Sequence, residues 1–87
     1  MVQRRRLFAE VDDEVRRYIN GQSRFNKHIE QALESSDELT RRLVLFRAKG
    51  GDYRQAMRRF NISESTFYRR IADFRRALIF KITGVQT

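Results

Sequence analysis

The chain offers few points at which a helix has to end. It contains no proline, and its four glycines stand at positions 21, 50, 51 and 84. Because proline and glycine are the strongest local interruptions of regular structure, the long segments between these positions can be helical throughout. The sequence therefore favours a mainly α-helical chain whose principal turns lie near residues 21 and 50.

Four sites have side chains suited to capping the start of a helix. Ser23 precedes one apolar stripe, and Ser35 with Glu38 three residues later has the form of a capping box. Asp52 and Ser63 precede two further stripes. We expect helices to begin at these sites and the apolar positions at helical spacing to form the core. These positions are Phe25, Ile29, Ala32, Leu33, Leu39, Leu43, Phe46, Tyr53, Ala56, Met57, Phe60, Phe67, Ile71, Phe74 and Leu78.

The first 20 residues allow two interpretations. One face of a continuous helix would carry the apolar residues Leu7, Phe8, Val11, Val15, Tyr18 and Ile19. Such a helix would also place three arginines at its positive end and Asp12 in its interior, which are both unfavourable. A strand over residues 4–11 followed by a helix from Asp12 avoids both problems. The local charges therefore favour strand then helix, and an all-helical segment is the alternative.

The charge of the chain is strongly basic and unevenly distributed. Its 87 residues include 19 lysines and arginines against 11 acidic residues, a net charge of +8, and all but three of the basic residues are arginine. Residues 36–87 carry +7 of this charge. Arginine matches the geometry of phosphate and guanine. The pattern therefore indicates a polyanionic partner, with double-stranded DNA as the first candidate.

The composition gives little support to other classes of function. The chain has no cysteine and a single histidine, which argues against a disulfide framework or a metal site. No set of residues suggests catalysis, a cofactor or a small-molecule ligand, so we expect a protein that is not an enzyme. Because no apolar stretch has the length of a signal peptide or a membrane span, we expect no membrane association and a cytoplasmic location.

Residues 52–80, DYRQAMRRFNISESTFYRRIADFRRALIF, follow the pattern of a helix, a tight turn and a second helix. Within this segment, FNISESTFYRRI resembles the turn and recognition helix of helix-turn-helix domains in DNA invertases, resolvases and related bacterial regulators. It departs from their pattern at Asn61, where glycine is usual, and at Glu64, where a basic or small polar residue is common. The resemblance implies a C-terminal helix-turn-helix whose recognition helix runs from about Glu64 to Phe80 and enters the major groove.

The same resemblance implies which side chains meet DNA. Those expected at the base edges are Ser63, Glu64, Ser65, Tyr68 and Arg69, with Arg69 as the principal candidate for guanine recognition. Those expected at the DNA backbone are Arg54, Arg58, Arg59, Arg70, Arg75 and Arg76.

The first part of the chain resembles a different family. LFAEVDDEV followed by GQSRFNKHIEQAL is similar to a ribbon-helix-helix repressor, in which paired strands from two subunits enter the major groove. This resemblance assigns Arg4, Arg6 and Phe8 to the exposed face of a DNA-binding strand. Alternatively, residues 7–35 form helices for dimerisation, and residues 4–6 form a flexible arm that binds phosphate.

Together these features predict a sequence-specific transcriptional regulator that binds double-stranded DNA as a homodimer. Residues 1–35 would form a dimerisation segment, either ribbon-helix-helix-like or all helical, and residues 36–87 the helix-turn-helix DNA-binding domain. The apolar side chains that could meet a second subunit are Val44, Leu45, Leu78, Ile79, Phe80 and Ile82. The alternatives are an accessory factor for recombination, replication or partition, and a protein-interaction adaptor that does not read DNA.

Overall fold

The computed structural model describes residues 4–84, and their side chains from Phe8 onward. This part of the chain forms five α-helices and no strand. Their bounds are α1 Arg4–Ile19, α2 Asn26–Ser35, α3 Glu38–Ala48, α4 Tyr53–Phe60 and α5 Glu64–Thr83. The prediction of a mainly α-helical chain is confirmed, in its all-helical form.

The prediction of a strand over residues 4–11 is wrong, because these residues form the first half of α1. The ribbon-helix-helix interpretation of this segment needs a strand here and is wrong with it. Val11 and Val15 are buried in the core, and Phe8 packs against that core from a half-buried position. Burying each such side chain stabilises the fold by about 1.5 to 3 kcal/mol. This exceeds the few tenths of a kcal/mol by which aspartate disfavours a helix interior.

Long-range contacts also account for Asp12, the acidic residue that argued against a continuous first helix. The carboxylate of Asp12 accepts hydrogen bonds from Nε and Nη2 of Arg75 at 3.0 and 2.6 Å. Nη2 of Arg47 lies 3.4 Å from the same Oδ2 atom. Asp12 therefore joins α1 to α3 and α5, and its position inside a helix is favourable in the folded protein.

Two of the four predicted helix starts are displaced. α2 begins three residues after Ser23, whose hydroxyl instead accepts a hydrogen bond from the backbone N–H of Phe25 at 3.0 Å. The capping box proposed at Ser35 does not form, because α2 continues through that residue. α3 is capped by Asp37, whose carboxylate accepts from the backbone N–H of Thr40 at 2.7 Å.

The described helices share one hydrophobic core, with α5 at its centre. α5 packs against each of the other four helices. The buried apolar residues are Val11, Val15, Ile29, Ala32, Leu33, Leu43, Val44, Ala56, Phe67, Ile71, Phe74, Leu78 and Ile79. Because residues before and after position 35 contribute to the same cluster, α1 and α2 support the C-terminal half of the molecule. A role of residues 1–35 in dimerisation stays a prediction.

Candidate nucleic-acid interface

The turn between α4 and α5 has the local structure that its sequence predicts. α4 begins with a capping box in which the Asp52 carboxylate accepts from the backbone N–H of Gln55 at 2.9 Å. It ends at Asn61, which adopts the left-handed conformation with φ 54° and ψ 52°. Asparagine tolerates this region better than most residues. Ser63 then caps α5 by accepting from the backbone N–H of Thr66 at 3.1 Å, so the chain reverses direction within a few residues.

Close packing holds α3, α4 and α5 together around this turn. Ala56 is completely buried, and its small side chain lets α4 approach α5 near Phe67. Between α3 and α4, the rings of Phe46 and Phe60 meet edge to face with their centres 5.6 Å apart. Gly51 lies directly against the Phe46 ring, leaving no room for a Cβ atom. The orientation of the three helices is therefore set by well-packed contacts.

α5 has a buried face and an opposite, exposed face. Phe67, Ile71, Phe74 and Leu78 form the predicted inner stripe, and all four are buried. The side chains of Ser65, Arg69 and Arg76 are exposed. These three residues lie almost opposite the inner stripe at 100° per residue. The outer stripe is therefore open to solvent and takes no part in the core.

The structure places all five residues predicted at base edges on one exposed surface. This surface consists of Ser63, Glu64, Ser65, Tyr68 and Arg69 at the start of α5, and we call it the recognition surface. Tyr68 is 44% exposed, although its ring packs against the rings of Phe67 and Tyr53, with centre distances of 5.3 and 5.8 Å. The exposed edge of Tyr68 is therefore held in a defined position.

Tyr53 extends this surface onto α4 and was treated by the sequence analysis only as a core residue. Its hydroxyl accepts a hydrogen bond from Nε of Arg54 at 3.1 Å, and the Arg54 guanidinium carbon lies 5.6 Å from the ring centre. The hydrogen bond to Tyr53 raises the pKa of Arg54, and the charges of Asp52 and Glu64 contribute in the same direction. The tertiary structure thus brings a second tyrosine and a fixed cation beside Tyr68.

The arginines predicted at the DNA backbone separate into two groups. Arg54, Arg58, Arg59 and Arg76 are exposed. Arg70 is half-buried and forms an ion pair with Asp37, and Arg76 pairs with Asp73 at 2.9 Å. The exposed members are open to solvent, as a backbone-contacting role requires, while Arg70 links α5 to the cap of α3.

Arg75 is placed inside the molecule and not on the predicted rim. Its side chain is only 14% exposed and is occupied by its contacts with Asp12. Its guanidinium carbon also lies 5.1 Å from the centre of the Phe8 ring. Phe8 accordingly packs against α5, which corrects its assignment to an exposed strand face. The predicted contacts of Arg4 and Arg6 lie outside the described side chains.

These features define a helix-turn-helix unit: a capped helix, a left-handed turn residue, and a longer second helix that is buried on one face and exposed on the other. Residues 41–77 match a family model described as a helix-turn-helix domain. The match runs from the first turn of α3 through α4 and most of α5. It supports a DNA-binding helix-turn-helix domain in this chain and does not single out the invertase or resolvase type.

Further comparisons add no named relative. No curated protein and no solved structure was found to match the chain. Of the helices between residues 4 and 84, none is long and apolar enough to cross a membrane. The helix-turn-helix unit and the side chains that it presents are therefore the features from which a function can be inferred.

Proposed function

We propose that this protein is a sequence-specific transcriptional regulator that binds double-stranded DNA as a homodimer and inserts α5 into the major groove. The observation that carries the proposal is the exposed recognition surface at the start of α5, a helix whose inner stripe is buried in the core. The first turns of the second helix are the part of a helix-turn-helix unit that reaches base edges.

Arg69 is the side chain best placed to read a base. It is exposed near the centre of the outer stripe, and its side chain has no ion pair or hydrogen bond with the side chains described from Phe8 to Gly84, whereas Arg76 is paired with Asp73. An unpaired guanidinium can donate two hydrogen bonds to O6 and N7 of guanine. The exposure of Arg54 and Arg58 on α4 supports a role in binding the flanking phosphates.

Selection of binding sites from random duplex DNA with the purified protein tests this function. The expected product is a defined site with two symmetric halves separated by about 34 Å, one helical turn. If about six phosphates are neutralised, the logarithm of affinity should fall against the logarithm of salt concentration with a slope of roughly −5. A shallow slope would contradict binding through about six phosphates, and failure to enrich any sequence would contradict sequence-specific binding. Failure to shift any duplex at low salt would favour a protein-interaction adaptor.

The position of the selected sites in the genome tests the regulatory role. Sites at promoters would support transcriptional regulation, because a bound protein there can block or recruit polymerase. Sites confined to recombination, origin or partition sequences would instead indicate an accessory factor.

The homodimer proposal is supported by an exposed aromatic side chain. Of the six apolar residues considered for a subunit contact, Val44, Leu78 and Ile79 are buried in the core of this chain. Phe80 is 47% exposed on α5, and Ile82 is half-buried nearby. Sedimentation of the free protein and of Phe80→Ser tests the contact. A dimer that dissociates in the variant supports the proposal, and a monomeric wild-type protein on and off DNA contradicts it.

A further inference from the structure

A cleft lies beside the helix-turn-helix unit, between α1, the end of α3 and the first half of α5. Its volume is about 350 Å³. The floor is apolar and includes Val15, Val44 and Ile71. The rim carries three guanidinium groups, Arg16, Arg47 and Arg75, and two carboxylates, Asp12 and Asp52. The cleft therefore has an excess of positive charge, and two of its three arginines lie outside the α4–turn–α5 segment.

The two carboxylates of this rim are already engaged. Asp12 is held by both donors of Arg75, and its Oδ2 atom is 2.6 Å from Arg75 but 3.4 Å from Arg47. The Asp52 carboxylate caps α4. The charge of Asp12 is therefore already neutralised by Arg75. Arg47 is a second, more loosely held partner of the same carboxylate.

Arg16 is held more weakly still. Its Nη1 atom lies 3.6 Å from Asp13, and both side chains are about 60% exposed, at 62% and 61%. Such an exposed pair contributes little and is readily exchanged for another anion. Arg16 and Arg47 are therefore the cations of this cleft that are available to a ligand.

The cleft is continuous with the recognition surface. Tyr53 and Tyr68, whose rings are in contact, line one side of it, and Tyr68 also belongs to the recognition surface. A helix in the major groove is flanked by the sugar-phosphate strands that border that groove. A sugar-phosphate strand of DNA that passes Tyr68 would next reach the opening of this cleft.

We propose that the cleft binds a backbone phosphate of the same DNA duplex, with Arg16 and Arg47 as its ligands. A guanidinium binds phosphate through two parallel charge-assisted hydrogen bonds, which suits a site with two loosely paired arginines. α1, which lies outside the helix-turn-helix match, thereby becomes part of the DNA interface. This inference rests on the proposed DNA-binding function.

Arg17 provides a matched control for Arg16. The two arginines are neighbours on α1, have similar exposure at 62% and 60%, and are paired with the carboxylate three residues earlier at 3.6 and 3.7 Å. They differ in the surface that they line: Arg17 faces a separate groove near Leu78 and Ile82. Replacing either by alanine removes the same charge from the same part of α1. The carboxylates left behind differ, since the Asp13 side chain is 61% exposed and the Glu14 side chain only 12%.

The test compares the DNA affinity of the full-length wild-type protein, Arg16→Ala and Arg17→Ala across a range of salt concentrations. Arg16→Ala should weaken binding on the order of fivefold to tenfold at about 0.1 M salt, for selected and random duplexes alike, and should reduce the salt slope by about 0.9. Arg17→Ala should leave the slope unchanged. Arg16→Ala should unfold at the same temperature as the wild-type protein, because its partner Asp13 is exposed. Arg17→Ala is compared well below its own unfolding temperature, since it leaves the largely buried Glu14 without this partner.

Three results would overturn the inference. Equal loss in Arg16→Ala and Arg17→Ala would show a general effect of net charge, and an unchanged slope in Arg16→Ala would show that this side chain binds no phosphate. Neither of these two results contradicts the proposed function, provided that the wild-type protein binds its selected site. A wild-type protein that binds no duplex overturns the proposed function and this inference together.

Discussion

At the residue scale, the role of each arginine is decided by what surrounds it. Arg69 and Arg75 are six positions apart on the same helix. The side chain of Arg69 is exposed and has no partner among the described side chains. The side chain of Arg75 is only 14% exposed and donates two hydrogen bonds to Asp12. Residue type and spacing alone do not separate a base-reading arginine from a structural one. The prediction at this scale concerns Arg69 and a backbone-contacting arginine.

Arg69→Ala should cost about 1 to 3 kcal/mol in binding to the selected site and relax the preference at one base pair, because a bidentate base contact is lost. Arg58→Ala should weaken binding to all sequences alike, since its expected contact is a phosphate. Competition binding against sites substituted at each position distinguishes the two. Equal losses on selected and random DNA for Arg69→Ala would refute its base-reading role.

The turn residue allows a second prediction at this scale. Asn61 has φ 54°, a region that costs a residue with an ordinary side chain roughly 1 to 2 kcal/mol. Asn61→Gly should leave the free energy of unfolding nearly unchanged, and Asn61→Ala should lower it by about 1 kcal/mol. Urea denaturation of the two variants measures this difference. A similar stability of the alanine and glycine variants would show that the left-handed turn is not a source of strain.

At the element scale, helices are joined by a small number of charged contacts as well as by the core. Asp12 links α1 to α3 and α5 through Arg47 and Arg75, and Asp37 links α3 to α5 through Arg70. Both aspartates thus act between elements, and Asp37 also caps the helix that follows it. Two predictions follow from these contacts.

Asp12→Ala should destabilise the fold by about 2 kcal/mol, because it leaves the largely buried Arg75 without its counter-charge. Arg75→Ala should have a comparable effect, and the double variant should cost clearly less than the sum of the two single changes. Urea denaturation of the wild-type protein, the two single variants and the double variant gives the four unfolding free energies that this comparison needs. Additive losses would show that the two side chains do not stabilise the fold as a pair.

The cap of α3 should make stability depend on acid pH. The hydrogen bonds from Thr40, above all that of its backbone N–H, and the nearby charge of Arg70 lower the pKa of Asp37 below its ordinary value. The folded protein therefore retains this charge at a pH where the unfolded chain is already protonated. The resulting stabilisation is complete above the ordinary pKa of aspartate, about 3.9, and is lost as the pH falls through the lowered value.

Asp37→Asn tests this dependence, because asparagine can still cap the helix but cannot titrate. Urea denaturation at neutral pH and at about pH 3 should show a smaller acid-induced loss of stability in the variant than in the wild-type protein. An identical loss in both proteins would show that Asp37 does not contribute to the pH dependence.

At the scale of the whole molecule, the two segments expected from the charge distribution form one packed structure. Val15 on α1 and Ile29 on α2 belong to the same buried cluster as Phe74 and Leu78 on α5. The near-neutral first segment therefore helps to hold α5 in place through this shared core.

A shared core predicts a single cooperative unfolding transition. Helix content followed by far-ultraviolet circular dichroism and tertiary packing followed by tyrosine fluorescence should have the same midpoint in urea, because no helix group has a core of its own. Two separated transitions would indicate that the first two helices fold independently of the helix-turn-helix unit.

The sequence by itself determined those features that depend on neighbouring residues. The cap at Asp52, the left-handed turn at Asn61, the cap at Ser63 and the inner stripe of α5 are all local, and each agrees with the structure. The exposure of Ser65 and Arg69 follows from the same periodicity, because a helix whose inner face is known has a known outer face. Tyr68 lies at the side of the helix, and its position depends on contacts with Phe67 and Tyr53. Much of the recognition surface, though not the placement of Tyr68, could therefore be predicted from the sequence.

The tertiary structure alone decided the conformation of residues 4–11, the role of Arg75 and the position of Tyr53 beside Tyr68. Asp12 argues against a continuous helix when only its neighbours are considered, but its counter-charges lie 35 and 63 residues further along the chain. Charge interactions between such distant residues exist only once the helices have packed, whereas capping and periodicity act within a few residues. That difference in range is the physical reason why the helix-turn-helix could be predicted from the sequence and the first helix could not.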